Sequence, residues 1–282
     1  MTEARLTQAG ELRRRIRNRF YFKVLSPEKR SFRRLRDLTV RRAGQGRQAP
    51  PVAYPLVLAM VYRSENVPVL DAFLRQCPAN TDVRLWSLDQ RAPLPDVSVG
   101  SGPGLKFDLV NRLLSSAPIA EDAWVVVADD DVLFSRGSLA GFLRECQRAG
   151  LDIAQPGHSA GSHFTHRVTV ARPWARVTMT RFVEIGPIFA VAPARRAEFV
   201  PFPDVGMGYG LELQWARSTA RGTRLGVVDR CRVMHLAPVG RSYSMDEEMS
   251  RALANIPGRQ IDFEELNQPV GTWYRLQRSP TC

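Results

Sequence analysis

The sequence predicts an α/β fold around a mostly parallel sheet, and two observations carry that prediction. Between residues 52 and 256, short apolar runs alternate with segments of helical periodicity. Strands linked by helices in this way build a sheet covered on both faces. The run Val125-Val126-Val127-Ala128 is apolar at every position, as a central strand buried on both sides must be.

The elements follow in order. Strands are expected at residues 56–61, 83–88 and 124–128, with helices at 67–76 and 106–116 between them. A helix at 138–149 opens on Ser138, a residue suited to cap its first turn. A short strand begins at 152–155. Further strands are expected at 182–191 and, as one or two, at 225–236. Helices are expected at 211–220 and 245–255. Ala49-Pro50-Pro51 is a stiff boundary, so the folded domain is expected over 52–256. A basic arm and linker, 1–51, precede it, and a tail, 257–282, follows. No internal repeat is present.

The net charge of +12 is concentrated in the arm. Residues 1–50 hold 15 Lys/Arg against 4 Asp/Glu, and the remainder holds 25 against 24. The pI of about 10.4 therefore describes the arm, and a uniformly basic nucleic-acid-binding body is not expected. Leu12, Ile16 and Phe20 share one helical face among Arg13, Arg14, Arg15, Arg17 and Arg19. A basic amphipathic helix of this kind can lie on an anionic membrane surface such as the inner leaflet. A solvated tail or an RNA contact are the other readings. Residues 1–47 are expected to lie outside the core and to be dispensable for folding.

Cys77, Cys146, Cys231 and Cys282 form no CxxC pair, which argues against a zinc ribbon and a disulfide scaffold. No early apolar stretch resembles a signal peptide, and the apolar runs, about ten residues at most, are too short to span a bilayer. The expected setting is the cytoplasm, with the arm at the membrane surface.

The central strand ends in Asp129-Asp130-Asp131. Ligands of open α/β sheets bind beyond the carboxyl ends of the strands. Carboxylates packed there repel one another, and a divalent cation relieves the repulsion. Oxygen donors suit Mg2+ or Mn2+, which also bind substrate phosphate. The plainer reading is an acidic turn after a strand. His235 ends the apolar pattern Arg232-Val233-Met234-His235-Leu236 and reads either as a structural histidine or as a further ligand.

Glu212 lies in the first turn of a helix opened by Gly206-Met207-Gly208-Tyr209-Gly210. It serves the helix dipole, or it faces the cleft as a general base. Glu184 interrupts an apolar strand pattern and is an edge residue or a second acid in the cleft. Arg63, Lys106 and Arg112 are candidates for phosphate or nucleobase contact. Lys106 is the best placed, beside a helix N-terminus. His158, His163 and His166 lack the HExxH form, so a polar substrate loop is favoured over a zinc site. The Gly102-Pro103-Gly104 and Gly206–Gly210 clusters lack the strand-first context of a dinucleotide fingerprint.

Taken together, these pieces resemble a GT-A glycosyltransferase. More narrowly, they resemble a plant and bacterial domain-of-unknown-function family with a DED-type motif. Its pattern is matched, in order, by Asp129-Asp130-Asp131, Asp152-Ile153-Ala154-Gln155-Pro156, Ser162 to His166 and Phe182 to Ile185. Tyr209-Gly210-Leu211-Glu212 and Val227-Val228-Asp229 with His235 complete it. The match spans roughly residues 55–240. Tyr209 and Glu212 stand where that family has tryptophan and aspartate. The resemblance implies a Rossmann-like nucleotide-binding half, followed by an acceptor half. It implies that Asp129 contacts the donor ribose or metal-bound water, that Asp131 holds Mn2+ or Mg2+ on the diphosphate, and that His235 completes the coordination. The partners implied are a nucleotide-sugar donor and a glycan, lipid or small-molecule acceptor. The alternatives are a non-catalytic nucleotide-sugar or glycan-binding scaffold and an Asp-x-Asp phosphohydrolase. The latter wants its motif on the first strand and a later acidic pair.

Overall fold

A computed structural model describes residues 30–45, 48–237 and 269–274. Helix α1 (Arg30–Gln45) leads into β1 (Leu56–Tyr62), α2 (Val67–Arg75), β2 (Asp82–Ser87), β3 (Ser98–Ser101), α3 (Lys106–Ser115) and β4 (Trp124–Asp129). There follow β5 (Val132–Arg136), α4 (Leu139–Ala149), β6 (Ile153–His158), β7 (Ala175–Thr180), β8 (Ile188–Val191) and α5 (Pro193–Phe199). Helix α6 (Leu211–Ser218), β9 (Leu225–His235) and β10 (Pro269–Tyr274) complete the described set.

All ten strands join one sheet in the order β10-β7-β9-β6-β8-β4-β1-β2-β3, with β5 paired to β9. The flank β3-β2-β1-β4 is parallel throughout: β2, β1 and β4 follow the expected strand–helix alternation, whereas β3, which is not among the expected strands, follows β2 with no helix between. Strand β8 runs antiparallel between β4 and β6, and β6 and β9 are parallel. Strands β7 and β10 close the other flank in antiparallel pairing.

Side-chain alternation divides the core between the two faces. Leu58, Met60, Val126 and Ala128 pack with Phe73 of α2 and Phe142 of α4 on one face. Val57, Ala59, Val125 and Val127 pack with Phe107 and Val110 of α3 and Trp215 of α6 on the other. Ser138 does cap α4: its Oγ accepts from the Gly141 N–H at 3.2 Å. The helix ends on Gly150 in the left-handed region, φ 60°, where glycine carries no Cβ penalty.

Three expectations are corrected. Residues 182–187 are not strand. Phe182, Val183 and Glu184 are buried, but Pro187 has no N–H to give a ladder, and neighbouring polar groups pair across the site. Strand β7 lies just before them, where interleaved Arg and Thr residues hid it. The boundary at Val52 is too late. Ala43 of α1 is buried against the α2 face, Val40 packs beside it, and the Gln48 Nε2 donates to the Leu74 and Cys77 carbonyls at 3.0 and 2.6 Å. Helix α1 and the segment from Gln48 therefore pack on the domain, whereas Leu12, Ile16 and Phe20 lie outside the described residues. The expected helix at 245–255 also lies outside them. Within the expected tail, β10 pairs with β7 as an edge strand. Among the described residues no helix is long and apolar enough to cross a membrane.

A buried arginine fixes α3, the helix that reaches the sheet's carboxyl edge. Arg84 of β2 is almost fully buried. Its Nη1 donates to the carbonyls of Leu113, Leu114 and Ala117 at 3.2, 2.9 and 2.9 Å, and its Nη2 to Pro118 at 3.1 Å. The last carbonyls of a helix have no partners within it, and a guanidinium fork satisfies several at once. Asp82 completes the set at 2.7 Å. Arg84→Met should lower unfolding free energy by about 3 kcal/mol, the scale of losing charged hydrogen bonds to buried carbonyls. Urea titration measures it, and a loss below about 1 kcal/mol would show that the fork does little for the helix end.

Candidate functional site

Strand alternation sorts the three aspartates. Asp129 ends β4 on the face shared with Val125 and Val127, so it meets the N-terminus of α3. The Lys106 Nζ lies 2.6 Å from its Oδ1 and also donates to the Ile185 carbonyl at 3.1 Å. Gly186 leaves the space for this: a Cβ there would sit 2.7 Å from the Asp129 Oδ2. Asp130 turns the other way. Its Oδ2 accepts from the Arg63 N–H at 2.8 Å, so it ties the exit of β1 to that of β4. Burial pushes its pKa up to about 6, against the lowering effect of Asn66 and the Arg63 amide; Asp131 and Asp129 push it further up.

Asp131 is placed by the return strand. Chain reversal after the acids starts β5 at once, and Val132 pairs with His235 across the β5–β9 ladder. The Leu236 N–H donates to the Asp131 carbonyl at 2.9 Å, and the Ala237 N–H to its Oδ2 at 3.0 Å. The His235 Nε2 lies 3.1 Å from the Asp131 Oδ1. Burial opposes ionisation of both side chains, yet their mutual attraction prevails. The Asp131 pKa is lowered and that of His235 raised. Asp129, Asp131 and His235 each offer one ligand atom, and these lie within 4.8 Å of one another. Two carboxylates and an imidazole at this spacing fit one divalent cation of the Mg2+ or Mn2+ type.

The histidine loop supports this group from below. The Ser162 Oγ accepts from the His235 N–H at 2.9 Å and bonds the His158 Nδ1 at 2.8 Å. The His158 Nε2 meets the Glu184 Oε2 at 2.9 Å. The Glu184 Oε1 accepts from the Thr165 hydroxyl at 2.7 Å and the His166 N–H at 3.0 Å, and the His166 Nδ1 lies 3.2 Å away. Burial raises the Glu184 pKa, but these donors outweigh it and hold the carboxyl below the usual range. Both its oxygens are occupied, an arrangement that positions the loop and leaves it poorly suited to take a proton. His158 and His166 are spent on Glu184 and do not face a shared metal position. Asp229 is likewise committed: it accepts from the Thr178 Oγ1 and the Arg172 N–H at 2.7 and 2.6 Å.

Glu212 is the opposite case. It opens α6 behind a turn whose Gly206, Gly208 and Gly210 all have positive φ. A side chain at Gly208 would run into the Phe107 ring, so the turn lies flat on the start of α3. Phe107 also donates its N–H to the Gly206 carbonyl at 2.9 Å. Glu212 is partly exposed, and its carboxyl accepts from its own N–H and from the Gly210 N–H, the latter at 3.2 Å. Burial pushes its pKa up to about 7, with Glu184 adding to the rise and His166 opposing it. That carboxyl exchanges its proton near neutrality.

The remaining candidates divide. Arg63 stands at the carboxyl end of β1, beside the acids. Arg112 lies six residues along α3 from Lys106, about 9 Å at helical rise, and stacks 5.8 Å over the Trp86 ring. Trp86 itself pairs with Val61, one residue before the carboxyl end of β1. Ser162, Thr165 and Gln155, whose Oε1 accepts from the Glu184 N–H at 2.6 Å, join the site; they lie in matched motifs but have no role of their own from sequence.

No family model and no curated protein matches this chain. Solved structures are similar at low identity. One is GalNAc-T7 with UDP, GalNAc and Mn2+, at 9% identity and a TM-score of 0.48 over 71% of this chain and 48% of that one. Another is the mannosyltransferase PcManGT from Pyrobaculum calidifontis with GDP-Man and Mn2+, at 15% and 0.49, over 78% and 71%. A third is residues 1–349 of S. aureus TarS with UDP-GlcNAc, at 10% and 0.48, over 71% and 64%. The chain spans about half the length of the first and just under two thirds of the third.

The raised pKa of Glu212 has a consequence for stability. The folded protein holds this proton up to about pH 7, while an unfolded glutamate releases it near 4.5. Stability from this group is thus full below the lower value and is lost as pH rises through the upper one. Glu212→Gln should remove about 2 kcal/mol of that loss, measured as the change in unfolding free energy between pH 5 and 8. Parallel curves for wild type and variant would mean that the carboxyl is solvated.

Proposed function

We propose that this chain is a metal-dependent GT-A-like glycosyltransferase that moves a sugar from a nucleotide-diphosphate donor to an acceptor. One observation carries the reading: Asp129, Asp131 and His235 meet at the carboxyl edge of the sheet with ligand atoms within 4.8 Å of one another. The order of the motifs from residue 129 to residue 235 supports it independently.

Asp129, Asp131 and His235 would hold Mn2+ or Mg2+. A bound cation supplies positive charge where the leaving diphosphate gathers negative charge. Lys106 steers Asp129 and brings a second positive charge to the N-terminus of α3, where an anion is favoured. Arg63 borders the same edge and contributes to donor binding. Glu212 takes the proton of the acceptor hydroxyl, a role that suits a carboxyl with its pKa pushed up to about 7. Glu184 is assigned a positioning role, because its oxygens are spent on the histidine loop. The basic segment before α1 is proposed to bring the protein to an anionic membrane. Vesicle sedimentation of protein lacking residues 1–29 should then show weaker, less salt-sensitive binding than the full chain.

Two substitutions separate binding from chemistry. Asp131→Asn should abolish Mn2+ binding, read by titration of the metal alone, and with it Mn2+-dependent binding of UDP or GDP. Retained metal affinity would refute the site. Glu212→Gln should keep nucleotide affinity within a few-fold and lower turnover, assayed as hydrolysis or transfer of a nucleotide sugar, by about 10²-fold or more. Unaltered turnover would remove Glu212 from the reaction.

A further inference from the structure

The folded domain is nearly neutral in total, yet its arginines are not evenly spread. Glu145 of α4 is 6% exposed and sits among three of them. The Arg176 Nη2 reaches its two oxygens at 2.6 and 2.8 Å, the Arg148 Nη1 lies at 3.4 Å and the Arg230 Nη1 at 4.0 Å. One carboxylate cannot neutralise three guanidinium groups. Beside them, Arg136 of β5 and Arg232 of β9 are direct cross-strand partners. Like charges in that relation are destabilising. The crowding is physical: burial and then the charge of Arg136 lower the pKa of Arg232. Arg136 and Arg230 are both near enough to Cys231 to act on its thiol. Three arginines thus share one buried glutamate, and Arg136 and Arg232, the latter near Asp229, add two more positive charges beside them.

Large apolar side chains stand exposed on the elements that touch this cluster. Trp174, 60% exposed, lies two residues from Arg176. Helix α1 packs against β5, the strand of Arg136. Its outward stripe is Arg34, Leu38, Arg41 and Arg42, at helical spacing and all exposed. An aromatic and an aliphatic group among arginines suit the headgroup boundary of a bilayer, where rings and alkyl chains enter the interface and guanidinium groups meet phosphate.

We infer that the arginine cluster of Arg136, Arg148, Arg176, Arg230 and Arg232, with Trp174, is a docking surface for an anionic phospholipid membrane. It belongs to the folded domain and is distinct from the basic segment before α1. It is also distinct from the candidate metal site: Arg136 lies four residues along β5 from Val132, about 13 Å at strand rise. The inference does not depend on the glycosyltransferase reading.

The test uses the full chain with the triple substitution Arg136→Gln, Arg230→Gln and Arg232→Gln, and separately Trp174→Ala. Thermal melts confirm the fold. The probes are phosphatidylcholine vesicles with and without phosphatidylglycerol, and single-stranded poly-U RNA. At low salt the triple variant should lose about tenfold or more in partitioning onto the anionic vesicles, since three positive charges leave the surface that meets the phosphates. Trp174→Ala should lose several-fold on the same vesicles. Partitioning of the triple variant equal to wild type would overturn the proposal. So would loss of RNA binding with vesicle binding intact, which would make the surface a nucleic-acid site. If the triple variant does not fold, the single change Arg136→Glu, at an exposed position, reads the same quantity: an unchanged partition coefficient refutes the surface.

Discussion

The pairing of β5 with β9 is the contact on which the candidate site depends. It sets Val132 opposite His235 and so delivers an imidazole to a carboxylate more than a hundred residues away in the chain. The reversal between Asp129 and Val132 is too short to allow another register. One residue of slip would turn His235 to the opposite face of the sheet. The backbone bonds Leu236 N–H to Asp131 O and Ala237 N–H to Asp131 Oδ2 lock the crossing just beyond the ladder. Asp129 then arrives from the end of β4, and Lys106 from the start of α3, rather than from the β5–β9 ladder itself.

Around that crossing, chemically similar carboxylates acquire different properties because their partners differ. Glu184 meets donors at both oxygens and stays ionised although it is buried. Asp130 is desolvated among other acids and is pushed up to about 6. Glu212 is pushed up to about 7 by burial, against two backbone donors, its own N–H and that of Gly210. Separation of this kind assigns roles: a saturated carboxylate holds structure, and one whose pKa lies near neutrality can move a proton. The chain Glu184–His158–Ser162 ends on the backbone N–H of His235, so the histidine loop and the metal-ligand candidates form one polar network. A network in the interior is favourable when its members are satisfied; the exception at its border is the Nε2 of Gln155, buried without a hydrogen-bond partner.

Helix α3 is held at both ends, and both holds are tertiary. Arg84 occupies its last carbonyls, and the glycine turn before α6 lies flat on Phe107 at its start. The helix thereby presents Lys106 to Asp129 while its apolar face fills one half of the core. The same device that packs the sheet also places the site's fixed positive charge.

The sequence by itself determined the α/β class, the parallel flank and the strand that ends in acids. Those features rest on local periodicity and on an apolar run that only a doubly covered strand tolerates. It also marked Asp129, Asp131, His235, Glu184 and Glu212 as residues out of keeping with their surroundings. Tertiary structure decided what each of them is. Asp130 and Asp131 are chemically alike in sequence, but strand alternation and the β9 register send one to Arg63 and the other to His235. Strands β3, β5, β7 and β10 escaped the reading because short or arginine- and threonine-bearing strands toward the rims of a sheet owe their conformation to the partners they pair with. The docking of α1 and Gln48 escaped it for a related reason. Ala43 and Gln48 are unremarkable residues whose burial and bonds exist only because α2 presents a surface and two carbonyls to them. Local sequence carries periodicity and charge; it does not carry which distant group will be the neighbour.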